Sequence, residues 1–329
     1  MSTLSALERD FINRFQGGFP LIGQPFNRVA ESLGTREATL IQTIEALLER
    51  GVLSRFGPLF DAERLGGELT LAALQVPEHD YERVTAQVNA FARVAHNYRR
   101  DHRLNMWFVL ASEQRGGVAD TLSAIERRTG LRVYNFPRQE AFYLGLWLRL
   151  GDQDQIDTVP IDSVARDSAD IRLDDFDRRL LRATQAGLPL CTDPWGVLAT
   201  QLDSKPGVVL EHLQALHDSG AIRRIGAVPN HYRLGLRGNG MSVWDVADDQ
   251  AVAVGRQIGG LDFVSHCYLR PRHDGVWPYN LFAMLHGKDR AVVDDRARQI
   301  EQLLGGHCRG HDILYSSAVL KKTGLRLAA

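Results

Sequence analysis

The chain has 329 residues, 44% hydrophobic and 24% charged, with a formal net charge of −1. That composition is globular, the length calls for two or more domains, and the near-neutral charge excludes a strongly basic nucleic-acid binder. No apolar run is long enough to span a bilayer, "MSTLSALERDF" has neither the basic start nor the apolar middle of a signal peptide, and three scattered cysteines (Cys191, Cys267, Cys308) make no disulfide or zinc spacing, so a cytoplasmic protein is expected.

The chain is a duplication. Sliding it by 169 positions lays "RDFINRFQGGFPLIGQPFNRVAESLGT" over "RRLLRATQAGLPLCTDPWGVLATQLDS" and keeps register to Arg64-Leu65-Gly66 and Arg233-Leu234-Gly235. One added residue then brings His96 over His266. Each half starts with three helical patterns; in the second they run Asp174–Ala186, Pro194–Leu202 and Lys205–Ser219, with Asp193 as cap, Pro194 at the first helical position and Gly220 as stop. "AIRRIGAVPN" follows as an extended wing, giving a winged helix-turn-helix.

The apolar period then changes. In the first half "LTLAALQV" reads as a strand, "HDYERVTAQVNAFA" as a helix, "VAHNYRRD" and "LNMWFVLA" as a hairpin, "GGVADTLSAIERRTG" as a helix and "AFYLGLWLRL" as a strand. The second half repeats the order with "GMSVWDV", "QAVAVGRQIG", "FVSHCYL", "YNLFAML", "RAVVDDRARQIEQLLG" and "DILYSSAVL". The expected fold class is α+β, each half a winged helix-turn-helix followed by a ferredoxin-like βαββαβ domain. The boundaries fall at 1–66, 67–150, a polar linker 151–172, 173–235 and 236–329. The open sheet face needs a partner, which the second half supplies within one chain or by exchange in a homodimer.

This layout resembles the Lrp/AsnC family of regulators, which bind DNA with the first domain and small effectors with the second. The recognition helices argue against DNA. "TREATLIQTIEALLERG" carries Glu37, Glu45 and Glu49, and "SKPGVVLEHLQALHDSG" puts Pro206, Gly207, Val208 and Val209 where base contacts belong. Arg223 and Arg224 in the second wing are the remaining phosphate candidates.

Two near-copies, "VAHNYRRDH" and "VSHCYLRPRH", carry the chemistry. Residues i, i+2 and i+4 share a strand face, so His96, Tyr98 and Arg100 project together, as do His266, Tyr268 and Arg270. A lone strand histidine is usually structural; a three-residue polar set kept in both halves, while the rest has drifted, reads as a site. Arg99, Arg100, Arg270 and Arg272 suit carboxylates, and Trp107 and Trp277 nearby suit a flat ligand. The cluster His307, Cys308 and His311 has no second ligand pair, so no resident metal is expected.

"RRIGAVPNHYRLGLRGNGMSVWDV", "FVSHCYLRPRHDGVWPYNLFAMLHG" and "LYSSAVLKKTGLRL" closely resemble one half of the siroheme decarboxylase family, and "VAHNYRRDHRLNMWFVLA" resembles the other. The resemblance implies a fused two-half enzyme of heme d1 or alternative heme biosynthesis. It implies loss of CO2 from the C12 and C18 acetates of siroheme, without a cofactor, to give 12,18-didecarboxysiroheme. It places His96 and His102 as proton donors and His266 as their counterpart or as a contact to the substrate's iron or propionates. His286 is a secondary candidate, His231 reads as structural, and Arg138, Lys321 and Lys322 are candidate grips for peripheral carboxylates. Siroheme is the expected partner, with a homodimer or homologous decarboxylase subunits as further ones; the competing readings are a tetrapyrrole-sensing regulator and a non-catalytic carrier.

Overall fold

The computed structural model describes residues 4–112, 114–151, 155–159 and 171–322. In the first half α1 (Ala6–Phe15), α2 (Pro25–Ser32) and α3 (Glu37–Glu49) lead into the wing β1 (Leu53–Phe60). Ser5 and Glu8 form a reciprocal capping box on α1. Then come β2 (Glu68–Leu74), α4 (Tyr81–Asn89), β3 (Val94–Arg100), β4 (Met106–Ser112), α5 (Gly117–Thr129), β5 (Val133–Pro137), β6 (Glu140–Leu144), β7 (Trp147–Leu150) and β8 (Ile156–Val159). The second half has α6 (Asp175–Thr184), α7 (Pro194–Gln201), α8 (Pro206–Asp218), β9 (Ile222–Pro229), the short α9 (His231–Leu234), β10 (Gly238–Val246), α10 (Ala251–Gly259), β11 (Val264–Leu269), β12 (Leu281–Gly287), α11 (Arg290–Leu304) and β13 (Cys308–Lys322). Asp193 caps α7 through the Gly196 amide at 2.9 Å, as expected, and Pro194 opens it.

The two βαββαβ units merge into one nine-stranded antiparallel sheet, ordered β5-β2-β4-β3-β13-β10-β12-β11-β6. Its two ends, β5 and β6, are separated in the chain by only Arg138 and Gln139, so the sheet curls until it nearly closes. β13 makes the matching crossing: its first part pairs with β10 up to Tyr315, and Ser316–Lys322 pairs with β3. Each half thus donates its last strand to the other. Closing the sheet removes its open edges and turns one face inward. That interior holds Trp107, Phe136, Met241, Val243, Trp277, Phe282 and Leu314. Helices α4 and α5 cover the outside of the first half's strands, and α10 and α11 the second's.

The expected last strand of the first half, "AFYLGLWLRL", is corrected. The ladder strand is β5, and the expected segment splits at Gly145-Leu146 into β6, which crosses to β11, and β7, which lies on α1. Within the expected linker, Ile156–Val159 pairs with β7 as β8; residues 152–154 and 160–170 lie outside the described residues.

The two winged domains share one core, with Phe11, Phe26, Phe56, Trp195, Leu213 and Ile225 all buried in it. Their wings pair with each other, β1 against β9, with Gly57 opposite Gly226. Both glycines are forced by close approach: a Cβ on Gly57 would lie 2.9 Å from the Leu188 amide nitrogen, and one on Gly226 2.3 Å from the Phe15 carbonyl oxygen. The wing cations turn inward too. Arg55 donates to the Gln185 carbonyl at 2.7 Å, and Arg224 to the Gln16 carbonyl at 2.9 Å while lying over the Trp147 ring. Arg223, the other wing candidate, is exposed.

Replacing Gly226 with Val should cost about 1–3 kcal/mol of folding stability through overpacking, read as a lower urea midpoint. An unchanged midpoint would show that the two wings separate without cost.

Candidate functional site

Both stripes lie on the inner face of the curled sheet, and both strands carry a bulge just before the histidine, between Val94 and His96 and between Val264 and His266. A bulge re-aims side chains. In the second half it turns Ser265 to the same side as His266, so that the two side chains hydrogen-bond at 2.7 Å. His96 and Tyr98 ring centroids are 6.2 Å apart and those of His266 and Tyr268 6.1 Å, while Arg100 lies 5.7 Å from the Tyr98 centroid and Arg270 4.9 Å from the Tyr268 centroid.

The arginines do a second job. Arg100 donates from Nη1 to the Leu314 carbonyl on β13, and Arg270 donates from Nη1 to the Phe136 carbonyl on β5. Each therefore ties its own stripe to a strand of the other half, where Phe136 is paired with β2 and Leu314 with β10. In both, Nε is buried with no hydrogen-bond partner in the structure, and the same holds for His96 Nδ1. Such donors cost free energy when left unpaired, which favours any acceptor that reaches them. Burial lowers both guanidinium pKa values to about 10, still charged at neutral pH.

Burial, reinforced by Lys322, brings His96 down to about 4; burial and then Arg223, His231 and Arg270 bring His266 to about 4. Tyr98 is pushed up to about 12, chiefly by burial. Around the first stripe stand Tyr232 and Lys322, whose ammonium lies 5.3 Å from the Tyr232 centroid. Beside the second, Arg138 lies 6.0 Å from the Tyr268 centroid and forms an ion pair with Glu63. By the repeat, Glu63 is the counterpart of Tyr232, so the two surroundings differ in charge as well as shape.

Several expected site residues lie elsewhere. Arg99 points to the outer face, pairs with Glu78 at 2.8 Å and covers the Tyr81 ring, because odd and even strand positions face opposite ways. Lys321 also faces outward and donates to the Asn89 and Phe91 carbonyls at the end of α4. His102 sits in the turn after β3, edge-on to Trp277 at 5.3 Å, with Nδ1 accepting from the Leu104 amide. Arg272 is held at the hairpin end by Asp245 at 2.7 Å and by Asp248. Trp107 and Trp277 are 0% and 1% exposed and plug the interior. Hairpin aromatics pair across the curled sheet, and the sequence pattern does not distinguish that core from a ligand wall.

Four contributors were missed or placed differently. His231, read as structural, lies edge-on to His286 with centroids 5.2 Å apart. Tyr232 hydrogen-bonds Asn239, and Asn239 and Ser265 both contact His286. The available signal was the polar pair His231-Tyr232 after the second wing, where the first half has Ala62-Glu63. In the segment with His307, Cys308 and His311, read as a turn, His311 stacks flat on Trp244 at 4.7 Å. Among the described residues, Asp174, Asp177 and His212 are close enough for a metal, but they form the capping box of α6 and its hydrogen bond to α8. No helix among the described residues is long and apolar enough to cross a membrane.

Comparisons with known proteins agree with this architecture. A family model described as an AsnC-like ligand binding domain matches residues 64–142 and 233–321, and one described as a siroheme decarboxylase NirDL-like HTH domain matches 8–53 and 177–223. The protein is thus a doubled winged-helix and AsnC-like chain. A siroheme decarboxylase of Hydrogenobacter thermophilus is 33% identical, covering 94% of this chain and 92% of the relative. The siroheme decarboxylase NirDL subunit of Paracoccus denitrificans is 30% identical over 99% of this chain and 98% of its own. A crystal structure of siroheme decarboxylase NirDL superimposes with a TM-score of 0.73 at 30% identity, covering 98% of this chain and 92% of that one. The chain belongs to the siroheme decarboxylase family, in its fused two-half form.

His96, His231 and His266 all sit near 4 when folded, against 6.5 in a free ring. Between those values the unfolded chain takes up protons that the folded chain refuses. The histidine contribution to stability is therefore complete above pH 6.5 and declines as pH falls towards 4, by at most about 1.4 kcal/mol per pH unit and ring. Urea midpoints measured from pH 7 to 5 should fall; a flat profile would mean that the folded rings protonate freely.

Proposed function

We propose that this chain decarboxylates siroheme at the C12 and C18 acetates, giving 12,18-didecarboxysiroheme, with no cofactor of its own. The observation that carries the reading is the pair of inward-facing His/Tyr/Arg stripes, each with an unpaired arginine Nε, in a chain that matches a siroheme decarboxylase over 94% of its length. A second NirDL crystal structure, similar over 98% of this chain at 29% identity and TM-score 0.73, is a co-complex with an iron-uroporphyrin III analogue. Siroheme is likewise a flat iron tetrapyrrole, rimmed by carboxylates.

The chemistry follows from an acetate carried on a pyrrole carbon. The carboxylate leaves as CO2 when the electrons of its C–C bond are accepted by the protonated ring, and one proton ends on the CH2 carbon to make a methyl group. Each removal consumes one carboxylate and one proton and releases one CO2. His96 and His266 are the proton-donor candidates on the two stripes, and Arg100, Arg270 and Lys322 the carboxylate contacts. A site closed to water favours departure of charge as a neutral gas. Tyr98 and Tyr268, held neutral by burial, donate hydrogen bonds without adding charge. Arg138, released from Glu63, is a further carboxylate contact. The iron enters with the substrate and is no part of the protein.

The assay is anaerobic siroheme with pure chain and no additive, followed by mass spectrometry. A product lighter by two CO2 is expected, and unchanged siroheme at stoichiometric protein would overturn the reading. Turnover that appears only when a half-length homologous subunit is added would place a needed group outside this chain. Replacing His266 with Ala should lower turnover by about 100-fold or more, the scale of a lost general acid, while siroheme still binds; loss of binding alone would favour a carrier.

A further inference from the structure

The two halves share the stripe but not the residues behind it. Behind His266, three adjacent strands supply a buried polar chain: Ser265 on β11, His286 on β12 and Asn239 on β10. These are 1%, 2% and 4% exposed. Ser265 Oγ lies 2.7 Å from His266 Nδ1 and 2.6 Å from His286 Nε2, and His286 Nδ1 meets Asn239 Oδ1. In the first half Ala95 precedes His96 as Ser265 precedes His266, and Leu69 pairs with Ala111 where Asn239 pairs with His286. All three polar positions are therefore apolar behind His96, whose Nδ1 is buried without a partner.

The chain of bonds has a direction. Asn239 donates through Nδ2 to the Leu236 carbonyl at 2.9 Å, which fixes its amide and leaves Oδ1 facing His286. An amide oxygen only accepts, so His286 carries its proton on Nδ1. Burial, with His231, His266 and Arg296 nearby, keeps that ring neutral, so its Nε2 accepts from the Ser265 hydroxyl. The Ser265 oxygen then accepts from His266 Nδ1. His266 is left with Nε2 as its working atom, in a fixed ring orientation.

We infer that Ser265, His286 and Asn239 are positioning residues for His266, and that the second-half stripe delivers the proton while the first binds. The inference rests on the decarboxylase reading. Protonated His266 gives its Nε2 proton to the substrate carbon as the C–C bond breaks and CO2 leaves; the ring becomes neutral with Nδ1–H still on Ser265, and a solvent proton restores it. The imidazolium needs an acceptor at Nδ1, and Ser265 is that acceptor. His96 has none, and the neighbouring Lys322 ammonium suits a substrate carboxylate. The charged or titratable groups facing His266 are Arg223 from the wing, His231 from α9, His286 from β12, and Tyr268 and Arg270 from its own strand.

The test compares S265A, S265T and H96A with wild type in single-turnover decarboxylation, siroheme affinity by absorbance, and thermal melting. S265A should melt as a folded protein, bind siroheme, and react about 10- to 100-fold more slowly, the usual cost of losing an outer partner of a functional histidine. The alkaline limb of its pH profile should move to lower pH, because the imidazolium has lost an acceptor. S265T should recover the rate, and H96A should lose affinity more than rate. Nitrogen NMR of isotopically labelled histidine should place the proton of neutral His266 on Nδ1 in wild type and show a mixture of the two neutral tautomers in S265A. Folded S265A with the wild-type rate and pH profile, or a wild-type His266 protonated on Nε2, would overturn the inference. Wild type that binds siroheme without turnover would instead sink the decarboxylase reading, with the NMR spectrum still deciding the relay.

Discussion

The structure depends on an exchange of strands between its two halves. The segment from Val133 to Leu144 begins as an edge of the first sheet and ends as an edge of the second, and β13 does the same in reverse. Because the crossings are reciprocal, neither four-stranded sheet is complete without the other, and the face that each would expose is turned inward over shared aromatics. The paired wings join the halves a second time, where two helix-turn-helix units close over one core.

The same exchange builds the candidate site. Arg100 and Arg270 reach from each stripe to a carbonyl in the other half's sheet, so stripe geometry and interdomain geometry are one constraint. The two wings pair together, and Arg55 and Arg224 donate to internal carbonyls. The winged domain then contributes to the site through the residues just past its wing: Glu63 in the first half, His231 and Tyr232 in the second.

Duplication supplies an internal control. Features kept in both halves, such as the bulge, the His/Tyr/Arg stripe and the crossing arginine, belong to the common fold and its ligand chemistry. Features found in one half mark where the copies have separated. Lys322 stands beside His96 and has Leu144 as its counterpart at His266, while the Ser265, His286 and Asn239 chain backs His266 and has Ala95, Ala111 and Leu69 behind His96. One half has gained a cation and the other a directed set of hydrogen bonds.

The sequence alone determined the repeat, its register, the order of elements and the shared face of each stripe, because these are properties of period and spacing within one segment. Asp193 before Pro194 and the alternation through His266, Tyr268 and Arg270 are local signals. The strand exchange was not legible: β5 is short, and nothing local distinguishes pairing with β2 from pairing with β11. Trp107 and Trp277 looked the same as core or as ligand wall, since the difference lies in the residues that pack across the sheet. Arg99 and Arg100 are adjacent basic residues in sequence, yet the pleat sends one outward to Glu78 and the other into the interior. Only the tertiary structure brought Ser265, His286 and Asn239 together, because hydrogen bonds across three strands depend on lateral order and register, which no single segment encodes.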